Sequence, residues 1–187
     1  HIYRIMVFYD SLKEGIFMPS WAGELNATYG NPLFIFNYSL PYYIISFFHF
    51  MGISFIDSAK IYLGLTFYLS GIFMYLWIKK VTGNKLAAFA SSIFYLFNPY
   101  HLIDVHFGAT LGESTIFTLI PLQFYFITKY FKDKKFISLA LISLITVLLF
   151  LAHSFLACVF FLLEITYILF VFAITKRLKP AIFMAGA

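Results

Sequence analysis

The chain is 187 residues long, 62% hydrophobic, 22% aromatic and only 11% charged, with a mean hydropathy of +0.89. Soluble globular domains carry about 25% charged and roughly 45–50% apolar residues, so this composition excludes a water-soluble domain and describes an integral membrane protein. The net charge of +5 does not mark a nucleic-acid binder, because the cations sit in short clusters between apolar runs and form no basic stripe interleaved with exposed aromatics.

A single cysteine, Cys158, lies inside an apolar run; it excludes a disulfide framework or a cysteine metal site and reads as a small packing residue. His1 opens straight into an amphipathic pattern with no initiator methionine or signal peptide, which reads as an internal fragment with helices expected upstream and downstream. No long linker or internal repeat divides the chain, so residues 1–187 are expected to form one membrane domain.

From His1 to Glu14, Ile2, Ile5, Met6, Tyr9, Leu12 and Ile16 recur at the spacing of one helical face, and Arg4, Asp10, Ser11 and Glu14 mark the other. Gly15 is the natural stop. Such a helix lies on a membrane more readily than it spans one. The stretch that follows, with Pro19, Trp21, Tyr29 and Pro32, reads as an irregular interfacial loop. It holds a formal glycosylation sequon, Asn26-Ala27-Thr28.

Leu33 to Met51 is apolar enough to span, yet Asn37, Ser39, Pro41 and His49 interrupt it and no charge flanks it. Asp57 is expected to cap a spanning helix over Ser58 to Ile78, with Ile56 as a hydrophobic staple. Four more apolar segments follow: Leu86 to Phe97, extended to Ile103 through Pro99; Ser114 to Thr128; Phe136 to Ala152; and Phe155 to Thr175. The expectation is all-α: a polytopic transmembrane bundle of about five spans over 57–175, interfacial, juxtamembrane or re-entrant helices in an outer region 1–56, and a cytoplasmic tail or the start of a next segment over 176–187.

Ten of the thirteen cations fall in three alternate connections: Lys79, Lys80 and Lys85; Lys129, Lys132, Lys134 and Lys135; Lys176, Arg177 and Lys179. The positive-inside rule makes these cytoplasmic. Pro99 to Gly112 and Ala152 to Ser154 carry no Lys or Arg and face the other side.

Polar chemistry concentrates in Asn98 to Glu113, which holds His101, Asp104, His106 and Glu113. One reading is that the acids, with His101 or His106, move protons in a transfer reaction or hold a divalent metal. For Glu113 the competing reading is a capping box, Thr110-Leu-Gly-Glu113, with its carboxylate returning to the Thr110 backbone. Asp104 has no such local task, and an acid so near the hydrocarbon core needs a reason. His153 either binds a phosphate or caps a helix. Glu164 falls near mid-bilayer and needs a partner, which the pattern assigns to a helix outside this chain. Arg4 is the best-placed outer cation for clamping phosphate oxygens. Trp21, Tyr29 and Tyr38 are candidate sugar-stacking surfaces.

The ordered set His1-x-x-Arg4, Pro19-x-Trp21, Tyr29-Gly30-x-Pro32, Leu40-Pro41-Tyr42-Tyr43, Asn98-Pro99-Tyr100, Asp104, Leu111-x-Glu113, Pro121-Leu122 and Ala152-His153 resembles the 6-pyruvoyl-tetrahydropterin synthase-related membrane family. That family is similar to polytopic glycosyltransferases of the GT-C superfamily. The resemblance runs from His1 to about Ile174. It departs at Gly108, Ser39 and Ser154, where arginine, proline and asparagine are the commoner residues.

What the resemblance implies is a fragment of a larger GT-C-like fold in a prokaryotic plasma membrane. The implied activity moves a sugar from a polyprenyl-phosphate donor to an acceptor on the non-cytoplasmic face. Asp104 or Glu113 would be the second of two catalytic acids, the first lying ahead of His1. His1, Arg4, Trp21, Tyr29, His106 and His153 complete the candidate site as substrate-binding residues, and a divalent metal is admitted as a cofactor. With both acidic loops outward, Leu33 to Met51 must cross an even number of times, so a juxtamembrane or re-entrant helix is expected there. The alternative is a non-catalytic transporter or assembly component for surface polysaccharide, with Glu164 as its functional acid.

Overall fold

The computed structural model describes residues 1–27 and 29–185, and the side chains of Phe36 and of residues 175–185 fall outside that description. The sequon's Thr28 and the side chains of Lys176, Arg177 and Lys179 therefore lie outside the described residues. Every regular element among the described residues is helical apart from one isolated bridge, Ala22 to Asn31.

The N-terminal region is short helices. Helix α1, Ile2–Lys13, stops where Gly15 adopts a φ of +85°. Helices α2, Leu33–Phe36, and α3, Leu40–Phe50, follow the loop. At 1.5 Å per residue the 11 residues of α3 cover about 17 Å, well short of the ~30 Å core. On its own this helix is too short to cross. Helices α1 and α3 lie side by side, with Phe8 packed among Phe34, Tyr42 and Tyr43.

The long helices are α4, Phe55–Thr82; α5, Lys85–Leu96; α6, Pro99–Ile103; α7, Leu111–Asp133; α8, Phe136–Ala152; and α9, Ser154–Ala185. Helix α4 starts earlier than expected. Its cap is Ser54, whose Oγ accepts from the Asp57 N–H at 3.1 Å and donates to Asp57 Oδ2 at 2.7 Å. Asp57 is thus the third residue of the helix and not the cap.

Two helices, Phe55–Thr82 and Ser154–Ile174, are long and apolar enough to cross a membrane, and α5 with Pro99–Gly108, bent by 47°, makes a third if taken as one span. Only 22% of the α4 window and 11% of the α9 window is buried within the protein. Their apolar side chains therefore face outward, where lipid accepts them and water would not. Cys158 belongs to that outward face of α9: it is exposed, not a packing residue.

Helices α4 and α7 run in the same direction, joined by polar contacts from end to end. The Tyr62 hydroxyl meets the Thr115 hydroxyl, Thr118 Oγ1 donates to the Thr66 carbonyl at 2.9 Å, and Lys80 pairs with Asp133 at 3.7 Å. Between helices in lipid, hydrogen bonds and close packing replace the hydrophobic drive, each bond contributing on the order of 1 kcal/mol. Pro121, inside α7, cannot donate to the Phe117 carbonyl. The Tyr95 hydroxyl of α5 donates to it instead, at 2.8 Å.

Two apolar cores flank this spine: Ile5, Phe8, Tyr42, Ile45 and Tyr62 join α1, α3 and α4, while Ile116, Ile120, Ile145, Leu149 and Ala157 join α7, α8 and α9. Glu164 is 7% exposed and accepts from Gln123 Nε2 of α7 at 2.8 Å. Its partner lies in this chain, not in a helix beyond it.

Candidate functional site

The lysine-bearing ends of α4 and α7 meet at one end of the bundle, and the acids of the 98–113 stretch lie at the other. Asn98 starts α6, its Oδ1 accepting from the Tyr100 N–H at 3.0 Å, with Pro99 at the first helical position. The chain then widens into a π-helical turn, Asp104–Gly108. It reverses through Ala109, at a φ of +45°, into α7. This reversal folds the start of α7 back over Asp104.

The expected capping box is not formed. Thr110 makes no side-chain cap; its Oγ1 lies 3.4 Å from the Asp104 carbonyl. Glu113 turns away from the helix end, accepting from the Tyr100 hydroxyl at 2.8 Å and reaching the Asp104 carboxyl. A helix N-terminus rewards the acid only modestly, about 0.3–1 kcal/mol, so two specific partners outweigh it.

Asp104 is 6% exposed, and its Oδ2 has no hydrogen-bond partner among the described residues. A second carboxylate beside a buried one disfavours its charged form. Burial, then the hydrogen bond and negative charge of Glu113, push the Asp104 carboxyl up to about 6 against the opposing Thr110 hydrogen bond. The Glu113 carboxylate is thus a direct cause of the raised proton affinity at Asp104. Glu113 is the more accessible member.

Around the pair stand groups from distant parts of the sequence. Tyr38, just ahead of α3, lies against Gly112 and feels the charges of both Arg4 and Glu113. Its hydroxyl is 3.5 Å from His1 Nδ1, and its ring lies 5.3 Å from that of Tyr42 and 6.1 Å from that of His153. The Arg4 guanidinium reaches the Tyr42 hydroxyl, which also accepts from Asn37 Nδ2 at 3.4 Å. The Ser39 N–H donates to the Leu151 carbonyl at 3.1 Å, tying α3 to the end of α8.

Gly112 makes this convergence sterically feasible. A Cβ there would sit 2.6 Å from the Ala152 carbonyl oxygen and 2.7 Å from the Tyr38 ring. No side chain fits between them.

Of the residues singled out from sequence, His1, Arg4, Tyr38, Asp104, Glu113 and His153 come together. His153 caps a helix: its Nδ1 accepts from the Leu156 N–H at 3.4 Å at the start of α9, and its ring faces Tyr38. Trp21 covers Gly30 and Tyr29 is 87% exposed; among the described residues neither touches the acids. His106 packs edge-on to Phe67. His101 is fully buried and stacks on Phe117, with ring centroids 4.5 Å apart. Among the described residues no three His, Cys, Asp or Glu are grouped to hold a metal ion.

Two contributors went unremarked in the sequence as site residues: Tyr100, which holds Glu113, and Gly112. Tyr100 had a signal, since an Asn-Pro start fixes the register of the helix that carries it. Gly112 had none, because its neighbours are far away in sequence.

A family model for the 6-pyruvoyl-tetrahydropterin synthase related domain, a membrane protein, matches residues 35–187. The match takes in Tyr38, Tyr42, Tyr100, Asp104, Glu113 and His153, while His1, Arg4, Trp21 and Tyr29 precede it. No curated protein matches the chain, and no solved structure does.

Proposed function

We propose that this chain, which belongs to the 6-pyruvoyl-tetrahydropterin synthase related family of membrane proteins, is part of a membrane glycosyltransferase that uses a polyprenyl-phosphate sugar. The observation carrying this reading is the juxtaposition of the Asp104 and Glu113 carboxyls, set beside Arg4, Tyr38 and His153 at a bundle end free of lysine clusters. The five-span bundle belongs to the same proposal: α4, α5 through Ile103, α7, α8 and α9.

In the proposed reaction an acceptor hydroxyl oxygen forms a bond to the anomeric carbon as the bond from that carbon to the phosphate oxygen breaks. The hydroxyl proton passes to the acid pair through its accessible member, Glu113, and polyprenyl phosphate leaves as the anion. Asp104 raises the proton affinity of the pair towards neutral pH, where a general base works best. The Arg4 guanidinium meets the phosphate, whose charge grows as the bond breaks.

The full-length protein, supplied with a panel of radiolabelled polyprenyl-phosphate sugars and membrane extract as acceptor, is expected to release polyprenyl phosphate from at least one of them. Release from none of the panel would count against the reading. Turnover should fall as pH drops below about 6, where the pair fills with protons.

The proposal places the site on the non-cytoplasmic face, because the lysines of 79–85 and 129–135 lie at the opposite end. With Cys158 replaced, a single cysteine at position 110 should react with an impermeant thiol reagent added outside intact cells, and one at position 83 should not. The reverse pattern would put the site on the cytoplasmic face and exclude an outward-facing acceptor.

A further inference from the structure

A second cavity, of about 430 Å³, lies at the opposite end from the acid pair, between the last turns of α4 and α7 and the described part of α9. Its volume is within the ~300–1,000 Å³ of small-molecule sites. Val81, Phe131 and Phe170 form apolar walls, and Thr128, Tyr167 and Lys132 supply the polar groups. The Thr128 and Tyr167 hydroxyls satisfy each other at 2.7 Å, so the inner wall asks for no polar ligand. Lys132 is different: it is exposed at the mouth and spends one hydrogen on the Lys80 carbonyl, at 2.5 Å, out of the three an ammonium offers.

The surroundings are strongly cationic. The two connections 79–85 and 129–135 hold seven lysines, Lys79, Lys80, Lys85, Lys129, Lys132, Lys134 and Lys135, against one acid, Asp133, which is taken by Lys80. Aromatic rings stand under these cations: Lys79 lies 5.5 Å from the Tyr75 ring and Lys129 lies 5.9 Å from the Tyr125 ring. Lysines over tyrosines are the pattern of a helix end at headgroup depth. The cavity therefore combines an apolar slot with cations at the level where lipid phosphates lie.

We propose that this cleft seats one anionic phospholipid, with its phosphate on Lys132 and one acyl chain against Val81, Phe131 and Phe170. Charge complementarity selects the anionic headgroup: each lysine near a membrane surface adds about 1 kcal/mol of attraction for anionic lipid, a factor of about five in affinity. This proposal does not depend on the chemistry of the acid pair.

Native mass spectrometry of the full-length protein in detergent, titrated with phosphatidylglycerol or phosphatidylcholine, tests it. The expected result is one retained phosphatidylglycerol per protein and a rise in Tm, with phosphatidylcholine held at least fivefold more weakly. Lys132→Gln should weaken phosphatidylglycerol retention about fivefold, and Lys60→Gln, on α4 near the other end, should leave it unchanged. Val81→Trp, which narrows the slot without altering charge, should weaken it too and serves if Lys132→Gln does not fold. Equal retention of the two lipids, retention of neither, or retention unaffected by the cleft substitution in a folded variant would overturn the proposal. A copy of this chain or a downstream segment occupying the cleft would appear as retention of neither lipid.

Discussion

Asp104→Asn and Glu113→Gln are each expected to reduce sugar-donor turnover about 10²- to 10⁴-fold, the usual contribution of a general base, and the double variant should lose no more than the worse single one. In the proposal the two carboxyls act as one proton-accepting unit, because Glu113 adds to burial in raising the proton affinity of Asp104. Removing either destroys the raised proton affinity that belongs to both, and residues that act as one unit give non-additive losses. Losses that simply multiply would mean two independent acids. Full activity in Asp104→Asn would remove Asp104 from the mechanism.

The same substitution should act on stability in the opposite direction. Asp104 in the folded protein sits at about 6 against 3.8 for the free group, so the native state holds the proton more tightly than the unfolded chain. Stability is therefore greatest below pH ~4 as far as this group is concerned. It falls as pH rises towards 6, and above that the full cost is present. At 1.36 kcal/mol per unit the cost is at most about 3 kcal/mol. Asn mimics the protonated acid and can still donate to Glu113, so Asp104→Asn should raise Tm at pH 7.5 and lose that gain near pH 4. A variant that is less active and more stable is the signature of a site held in place at the expense of the fold.

Gln123→Leu is expected to be among the most damaging single changes away from the site. Gln123 is 2% exposed, and its Nε2 donates to Glu164 Oε1 at 2.8 Å and to Thr146 Oγ1 at 2.9 Å, joining α7, α8 and α9. Without it the Glu164 carboxyl is buried with no donor, which costs about 1–3 kcal/mol. Thermal unfolding in detergent should show a Tm several degrees lower. The double variant Gln123→Leu/Glu164→Leu should recover most of the loss, because both polar groups leave together. An unchanged Tm in Gln123→Leu would show that Glu164 finds its partner elsewhere. This pairing also weakens the reading of Glu164 as the working acid of a non-catalytic component, since a partner within the chain already accounts for it.

The helices were legible because their causes are local. Apolar runs between lysine clusters, Gly15 after α1 and the Asn98-Pro99 start of α6 each act within a few residues. Where local signals competed, the reading slipped. Ser54 and Asp57 are both good caps, and the start of α4 follows from their pairing with each other. At α7 the Thr110 to Glu113 spacing was a true local signal, overridden by Tyr100 and Asp104. That outcome depends on the π-helical turn folding Asp104 under the helix, which no periodicity reports. The stretch from Asn98 to Glu113 was visible as a polar island, but its tie to Arg4, Tyr38 and His153 runs through Gly112 and comes only with the tertiary structure. Trp21 and Tyr29 were chosen for their chemistry alone, and the fold leaves them on the 16–32 loop.

The most direct test is to titrate the carboxyl pair itself by pH-dependent infrared difference spectroscopy of the full-length protein in lipid. The wild type should show one protonated-carboxyl band that disappears with a midpoint near pH 6. The band should be absent in Asp104→Asn and should shift to lower pH in Glu113→Gln, where a charged neighbour becomes a neutral donor. A wild-type titration with no band near pH 6, or a band there that survives both substitutions, would contradict the raised proton affinity of Asp104 and the site built on it.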